Sequence, residues 1–107
     1  MRAYAVLVTP DAYDDLSGIR DHIARRLDSP EAARSVLRSI RKTIASLSSM
    51  PSRAREVEEE PWRSRGVRRI LSGKFFVYYR VDEESGTVYV LNVLYARSGQ
   101  RRTPDNR

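Results

Sequence analysis

The chain has 107 residues, carries 20 basic against 14 acidic side chains, and has a net charge of +6. This length fits one domain with one core, and the absence of cysteine excludes disulfides and thiolate metal sites. The chain has one histidine and no clustered carboxylates, so it contains no recognisable metal site. We therefore expect no metal and no cofactor. No apolar run suits a signal peptide or approaches the roughly 20 residues of a membrane helix, so we expect a soluble, cytoplasmic protein without a membrane partner.

The excess of basic residues favours a polyanionic partner. Only Lys42 and Lys74 are lysines, so 18 of the 20 basic residues are arginines. A basic surface suits RNA, DNA or an acidic protein segment. An arginine-rich composition also follows simply from a high genomic GC content, so the charge by itself does not choose among these partners.

Residues 2–8 are predicted to form a first strand, and two helix start signals follow it. Thr9 suits a helix cap, because its hydroxyl precedes Pro10 and acidic residues in the first turn. Apolar residues three and four apart predict a helix over about residues 10–27, with one apolar face made of Ala12, Leu16, Ile19, Ile23 and Leu27. Ser29 and Pro30 repeat the start signal, and the second helix is expected to end by residues 48–51. Two helices joined by two or three residues must form an antiparallel hairpin.

Residues 50–66 are predicted to be a linker. Pro51, Pro61 and Gly66 interrupt regular structure there. The acidic run over residues 56–60 is more simply explained as a solvated loop than as a functional segment. We expect Trp62 to anchor this loop on the core rather than to bind a ligand.

Three further strands are predicted at residues 67–71, 75–81 and 87–95. β-Branched and aromatic residues dominate these segments, and polar turns that contain glycine separate them. The order β-α-α-β-β-β predicts an α+β fold, with the antiparallel helical hairpin packed on one face of a mostly antiparallel four-stranded sheet. The other face is expected to be open. The domain is expected to span residues 1–97, and residues 98–107 to form a basic, flexible tail.

The period of two along residues 75–81 divides their side chains between the two faces. The better core face consists of Phe75, Val77, Tyr79 and Val81. The set that faces the open side consists of Phe76, Tyr78 and Arg80. A two-residue turn at Gly73 and Lys74 would add Arg69 and Leu71 to the open side, whereas a three-residue turn would add Arg68 and Ile70. We favour the shorter turn and Arg69.

Several stretches of the chain match one known family in order and without large gaps. They are Val8-Thr9-Pro10-Asp11-Ala12, Ser29-Pro30-Glu31-Ala32-Ala33, residues 67–81 around Gly73, and residues 86–95 followed by Arg97. On these stretches, residues 1 to about 97 resemble toxins of the RelE/ParE superfamily from bacterial type II toxin–antitoxin systems. The long, evenly matched helices fit ParE-like members better than RelE-like ones.

The resemblance implies the α+β fold predicted above and an acidic, partly disordered antitoxin that wraps and blocks the toxin. Operator DNA would then be contacted only through the antitoxin, as in plasmid stabilisation systems. RelE-like members cut messenger RNA on the ribosome without a metal, whereas ParE-like members poison DNA gyrase. An inactive relative that only binds an antitoxin, and a basic domain without a toxin role, are further alternatives.

The candidate target-binding residues are Arg68, Arg69, Phe76, Tyr78, Arg80 and Arg97. A metal-free nuclease needs a base, an acid and cations around the phosphate, and here that work would fall on Arg69, Tyr78, Arg80 and Arg97. RelE-like members usually have an arginine at the position of Phe76, and a phenyl ring cannot hold a phosphate. His22 is expected to flank the stripe of the first helix. We therefore favour DNA gyrase over the ribosome and mRNA as the target, and we assign no catalytic residue.

Overall fold

The computed structural model of the protein describes residues 2–96. The chain forms strand β1 (Ala5–Val8), helices α1 (Pro10–Leu27) and α2 (Pro30–Ser46), and strands β2 (Arg68–Ser72), β3 (Phe75–Asp82) and β4 (Thr87–Tyr95). The sheet order is β1-β4-β3-β2, with β1 parallel to β4 and the other pairs antiparallel. The predicted α+β fold is confirmed, while Arg97 and the predicted tail over residues 98–107 lie outside the described residues.

Both helices start where their caps predict. The Thr9 hydroxyl accepts a hydrogen bond from the backbone N–H of Ala12 (3.3 Å), and the Ser29 hydroxyl accepts one from Ala32 (3.1 Å). A proline occupies the first turn of each helix, where no intrahelical N–H bond is lost. Asp28 adopts a left-handed conformation (φ 49°) that ends α1, so the chain reverses within two residues and α2 packs beside α1.

The first strand is shorter than residues 2–8. Ala3 forms an isolated bridge with Ser49, and the N–H of Tyr4 donates to the carbonyl of Ser48 (2.9 Å). The first residues therefore pair with the segment that follows α2, and only Ala5–Val8 pairs with β4.

The main core lies between the helical hairpin and the first face of the sheet. Leu16, Ile40 and Val77 are buried in it, as the apolar periodicity predicts. Phe75 is only half-buried, because it lies beside the turn of the β2–β3 hairpin, at the end of the sheet, where its ring packs against Tyr95 at a centroid distance of 5.6 Å. Phe75 therefore packs against the main core, as its place on the predicted core face implies, but it is not fully buried.

A carboxylate on α1 fastens the helix to an irregular part of β4. The register of β3 against β4 shifts between Tyr78 and Tyr79, which leaves one residue of β4 unmatched. At this bulge, Asp15 Oδ2 accepts hydrogen bonds from the backbone N–H of Val93 (2.9 Å) and from Asn92 Nδ2 (3.1 Å). Asp15 therefore satisfies a buried N–H that the bulge leaves available for a side chain.

Candidate functional site

The β2–β3 turn decides which arginines reach the second face of the sheet, the face away from the helices. Ser72 pairs with Phe75, Ile70 pairs with Val77, and Arg69 pairs with Tyr78. This is the register of a two-residue turn at Gly73 and Lys74, so that prediction is confirmed. Arg69 lies on the second face, beside Phe76 and Tyr78.

The second face is not open, and the expectation that it would be is wrong. Residues 57–67, here called the strap, cross it, and Val57, Trp62 and Val67 form a second buried cluster with Tyr78. The N–H of Val57 donates to the carbonyl of Val67 (2.8 Å), which closes the strap into a loop beside β2. Trp62 anchors the loop as predicted, but it does so on the second face rather than on the core beneath the helices.

Tyr78 is consequently not an exposed phenol. Only 1% of its surface is accessible, and its hydroxyl accepts a hydrogen bond from Arg69 Nη1 at 3.4 Å. Its ring meets that of Phe76 edge-on, with the centroids 6.1 Å apart. Tyr78 therefore supports the two residues beside it and is screened from a large ligand by the strap.

The guanidinium group of Arg69 lies over the aromatic ring of Phe76. Its guanidinium carbon is 4.3 Å from the centroid of Phe76, within the range of a cation–π contact. Both side chains are half-buried, so each keeps accessible surface. The pair presents a positive charge held in a fixed place, which suits recognition of an anionic group.

Arg80, four residues after Phe76 on β3, forms a similar pair. Its guanidinium carbon is 4.8 Å from the centroid of Tyr89, which lies opposite it on β4. Val88 and Val90 on either side of Tyr89 belong to the main core, so the Arg80–Tyr89 pair lies on the second face. Arg69 and Arg80 are thus both brought to this face, as the strand period predicts.

Arg68 differs from its neighbour, because adjacent residues of a strand point to opposite faces. Its Nη1 donates to the carbonyl oxygens of Ala54 (2.6 Å) and Ser52 (3.4 Å), and its Nη2 is 3.6 Å from Glu56 Oε2. These contacts tie the chain before the strap to the edge strand β2. The structure therefore separates Arg68 from Arg69, Phe76, Tyr78 and Arg80.

The other two polar candidates, Tyr79 and His22, lie away from the second face. Tyr79 is fully buried in the main core, as predicted, and its hydroxyl donates to the carbonyl of Pro51 (2.5 Å). Burial raises the pKa of the Tyr79 phenol above its ordinary value of 10.0. His22 lies exposed on α1, and within residues 2–96 no three His, Asp or Glu side chains are grouped so as to hold a metal ion.

Sequence reasoning missed that the strap covers the second face, and it missed the role of Asp15. Val57 and Trp62 are isolated apolar residues in a polar, acidic segment, and such residues signal that a loop packs on a surface. Asp15 gave no comparable signal, because acids near the start of a helix already have an explanation in the helix dipole.

Comparison with known proteins places the chain in a family. The model of the ParE toxin of the type II toxin–antitoxin system parDE matches residues 6–98. The chain therefore belongs to the family of ParE toxins, within the RelE/ParE superfamily that its sequence resembles. A comparison with curated proteins finds no significant match.

Three solved structures share the fold. A chain of the chromosomal ParDE system from P. aeruginosa is 23% identical, with a TM-score of 0.71 over 87% of this chain and 96% of that one. The toxin–antitoxin complex RelBE2 from Mycobacterium tuberculosis contains a chain that is 25% identical, with a TM-score of 0.63 over 89% of this chain and 93% of that one. The E. coli toxin RelE, as a double-arginine mutant in the free state, is 19% identical, with a TM-score of 0.52 over 92% of this chain and 88% of that one. No helix within residues 2–96 is long and apolar enough to cross a membrane.

Proposed function

We propose that this protein inhibits bacterial growth by acting on DNA gyrase in the cytoplasm, and that a cognate antitoxin neutralises it. The observation that carries the proposal is the match of residues 6–98 to the ParE toxin family. The likeness to RelE shows the shared fold, and the choice between the two activities depends on the second face.

The second face favours a binding surface over a nuclease. Metal-free RNA cleavage needs an accessible base and an accessible acid beside cations that hold the phosphate. Tyr78 is buried under the strap, and Arg69 is held against Phe76. Within the described residues, neither His22 nor Lys74 is hydrogen bonded or ion paired to Arg69 or Tyr78. The arginine–aromatic pairs are suited to binding a partner rather than to moving protons.

The antitoxin part of the proposal is supported by charge and by relatives. The net charge is +6, and two of the similar structures are toxin–antitoxin systems or complexes. An acidic, partly disordered segment that folds on this surface would bind tightly and in a salt-dependent way. Co-expression with the adjacent reading frame tests this: we expect the two proteins to co-purify, and failure to do so would contradict the proposed pairing.

The target is tested by inducing the toxin and following labelled precursors. We expect DNA synthesis to fall before protein synthesis, and purified toxin to inhibit supercoiling by gyrase. Early loss of translation together with mRNA cleavage on ribosomes would instead identify a RelE-like nuclease. Unchanged growth on induction would identify an inactive relative that only binds its antitoxin.

The residues that carry the activity are proposed to be Arg69, Arg80 and Arg97. A triple Arg→Ala variant should fold, because an exposed cation–π contact contributes only about 0.5–1 kcal/mol. It should lose growth inhibition, and the corresponding Arg→Lys variants should regain it only in part, because lysine lacks the planar fork. Full toxicity in a folded triple variant would refute the assignment. Phe76→Arg provides a control, because it should raise RNA cleavage only if the protein is a nuclease.

A further inference from the structure

The outer face of α2 is basic along most of its length. Arg34, Arg38, Arg41 and Lys42 are exposed, and the centre of their arc lies about 120° around the helix axis from the buried stripe, which consists of Ala33, Leu37, Ile40 and Ile44. At about 100° per residue, the four cations fall within an arc of about 100° around the helix axis. They are here called the α2 basic face.

The charges of the α2 basic face have no partner among residues 2–96. Among residues 2–96, ion pairs join Arg2 to Glu83, Arg20 to Asp21 and Arg68 to Glu56, and none involves the four cations of α2. Their side chains also make no hydrogen bond with the described residues. Like charges three and four residues apart on a helix repel each other, so this arrangement lowers the stability of α2. Binding of an anionic partner to this face would offset the loss of helix stability.

The composition of this face indicates the chemistry of the partner. The large apolar side chains that are exposed on the described chain are Leu7, Tyr13, Leu27, Met50, Leu71 and Tyr95, and none of them lies on α2. Protein interfaces are centred on buried aromatic or aliphatic anchors, and single-stranded nucleic acids are bound by stacking on aromatic rings. Phosphate backbones are contacted by arginine, lysine and serine side chains, and Ser35 and Ser39 are the exposed residues that flank the cations.

We propose that the α2 basic face binds the phosphate backbone of duplex DNA without sequence preference. The cations from Arg34 to Lys42 span about 12 Å of a rigid helix, which is comparable to the roughly 12 Å width of the major groove of B-DNA. Direct binding of DNA by the toxin differs from the expectation that DNA is contacted only through an antitoxin. The proposal goes beyond the proposed function and does not depend on it, because the purified toxin would bind DNA in the absence of gyrase.

The proposal is tested with purified toxin and a fluorescent duplex of about 20 base pairs at salt concentrations between about 50 and 200 mM. Each phosphate neutralised contributes about 0.9 to the slope of log affinity against log salt, so four contacts give a slope of about −3.6. The triple variant Arg34→Gln, Arg38→Gln, Arg41→Gln should reduce the magnitude of this slope by about 2.7. Glutamine is a good helix former, so α2 should persist, and circular dichroism checks that it does.

A second triple variant controls for net charge. Arg55→Gln, Arg63→Gln, Arg65→Gln removes three exposed arginines from the strap and the segment beside β2. Both triple variants lower the formal charge from +6 to +3. The proposal is supported if only the α2 variant loses affinity and slope.

Four results would overturn the proposal. The first is that the wild-type protein does not bind duplex DNA at low salt. The second is that both triple variants lose affinity equally, which would mean that the charge acts diffusely. The third is that duplex RNA or a single strand binds more tightly than duplex DNA. The fourth is that the α2 variant keeps its DNA affinity and loses only its antitoxin, in which case the face belongs to an acidic protein.

Discussion

The carboxylate of Asp15 joins α1 to β4, and we expect its removal to lower the stability more than the loss of any other single contact between these two elements. Its Oδ2 accepts the N–H of Val93, which is 1% exposed, and the side-chain amide of Asn92. Asp15→Ala removes both acceptor contacts and leaves the Val93 N–H buried without its partner. We therefore expect a loss of stability far above that of an ordinary surface substitution.

The size of the loss follows from the two hydrogen bonds. A hydrogen bond to a charged group contributes about 1.5–3 kcal/mol, and a buried unsatisfied donor costs about 1–3 kcal/mol. Because partial relaxation and water reduce the sum, we expect Asp15→Ala to cost about 2–4 kcal/mol. At about 4 °C per kcal/mol for a domain of this size, Tm should fall by about 8–16 °C.

The assay is chemical and thermal unfolding of Asp15→Ala beside Asp14→Ala. Asp14 is the adjacent acid on α1, is exposed, and forms no ion pair with the described residues. Its substitution should change stability by less than about 0.5 kcal/mol. If the two variants unfold within about 0.5 kcal/mol of each other, Asp15 does not hold α1 on β4 and the reasoning is refuted.

Three further predictions concern the core, a helix and a turn. Ile40→Ala should cost about 2–5 kcal/mol in denaturant unfolding because it leaves a cavity beneath α2, whereas equal midpoints for it and exposed Ser39→Ala would contradict the packing. Gly18→Ala should raise the stability by about 0.5–1 kcal/mol, since a Cβ there meets nothing within 4 Å and alanine favours the helix; a lower Tm would contradict this. The pKa of Asp82 lies below its ordinary 3.8, because the N–H groups of Ser85 and Glu84 donate to its carboxylate. The ionised Asp82 carboxylate therefore contributes to the stability of the folded protein above the unfolded pKa, and this contribution is lost as the pH falls through the folded pKa. Between about pH 5 and pH 2, the Asp82→Asn variant should consequently lose less stability than the wild type. Equal losses of stability in the two proteins would contradict this prediction.

The parts of the fold that local chemistry determines were the parts that could be predicted. Thr9 and Ser29 cap their helices through hydrogen bonds three residues away, so the helix starts were visible in the sequence. The β2–β3 register followed from a two-residue turn at Gly73 and Lys74, which places Ile70 beside Val77 in the core, whereas a slip of one residue would move Ile70 to the second face.

The covered second face could not be predicted in the same way. Whether residues 57–67 cross the sheet depends on Val57 and Trp62 meeting Tyr78 across a long stretch of chain, and no spacing rule fixes such a contact. The expectation of an open face came from counting helices alone. An irregular segment with a tryptophan buries apolar surface as effectively as a helix if its own N–H groups are satisfied, as those of Val57 and Val67 are.

The arginines of this chain differ in what they contact, and genomic composition does not explain these differences. High genomic GC content would account for the number of arginines, 18, but it would not determine which of them contact other groups. Among residues 2–96, six contact a carboxylate, a carbonyl oxygen or an aromatic ring: Arg2, Arg20, Arg53, Arg68, Arg69 and Arg80. Those on α2 instead share one exposed face with Lys42 and repel one another. A charge that is held against a ring is positioned for one anionic group, whereas a row of unpaired charges suits a repeating polyanion, and this chain presents the two arrangements on opposite sides of its sheet.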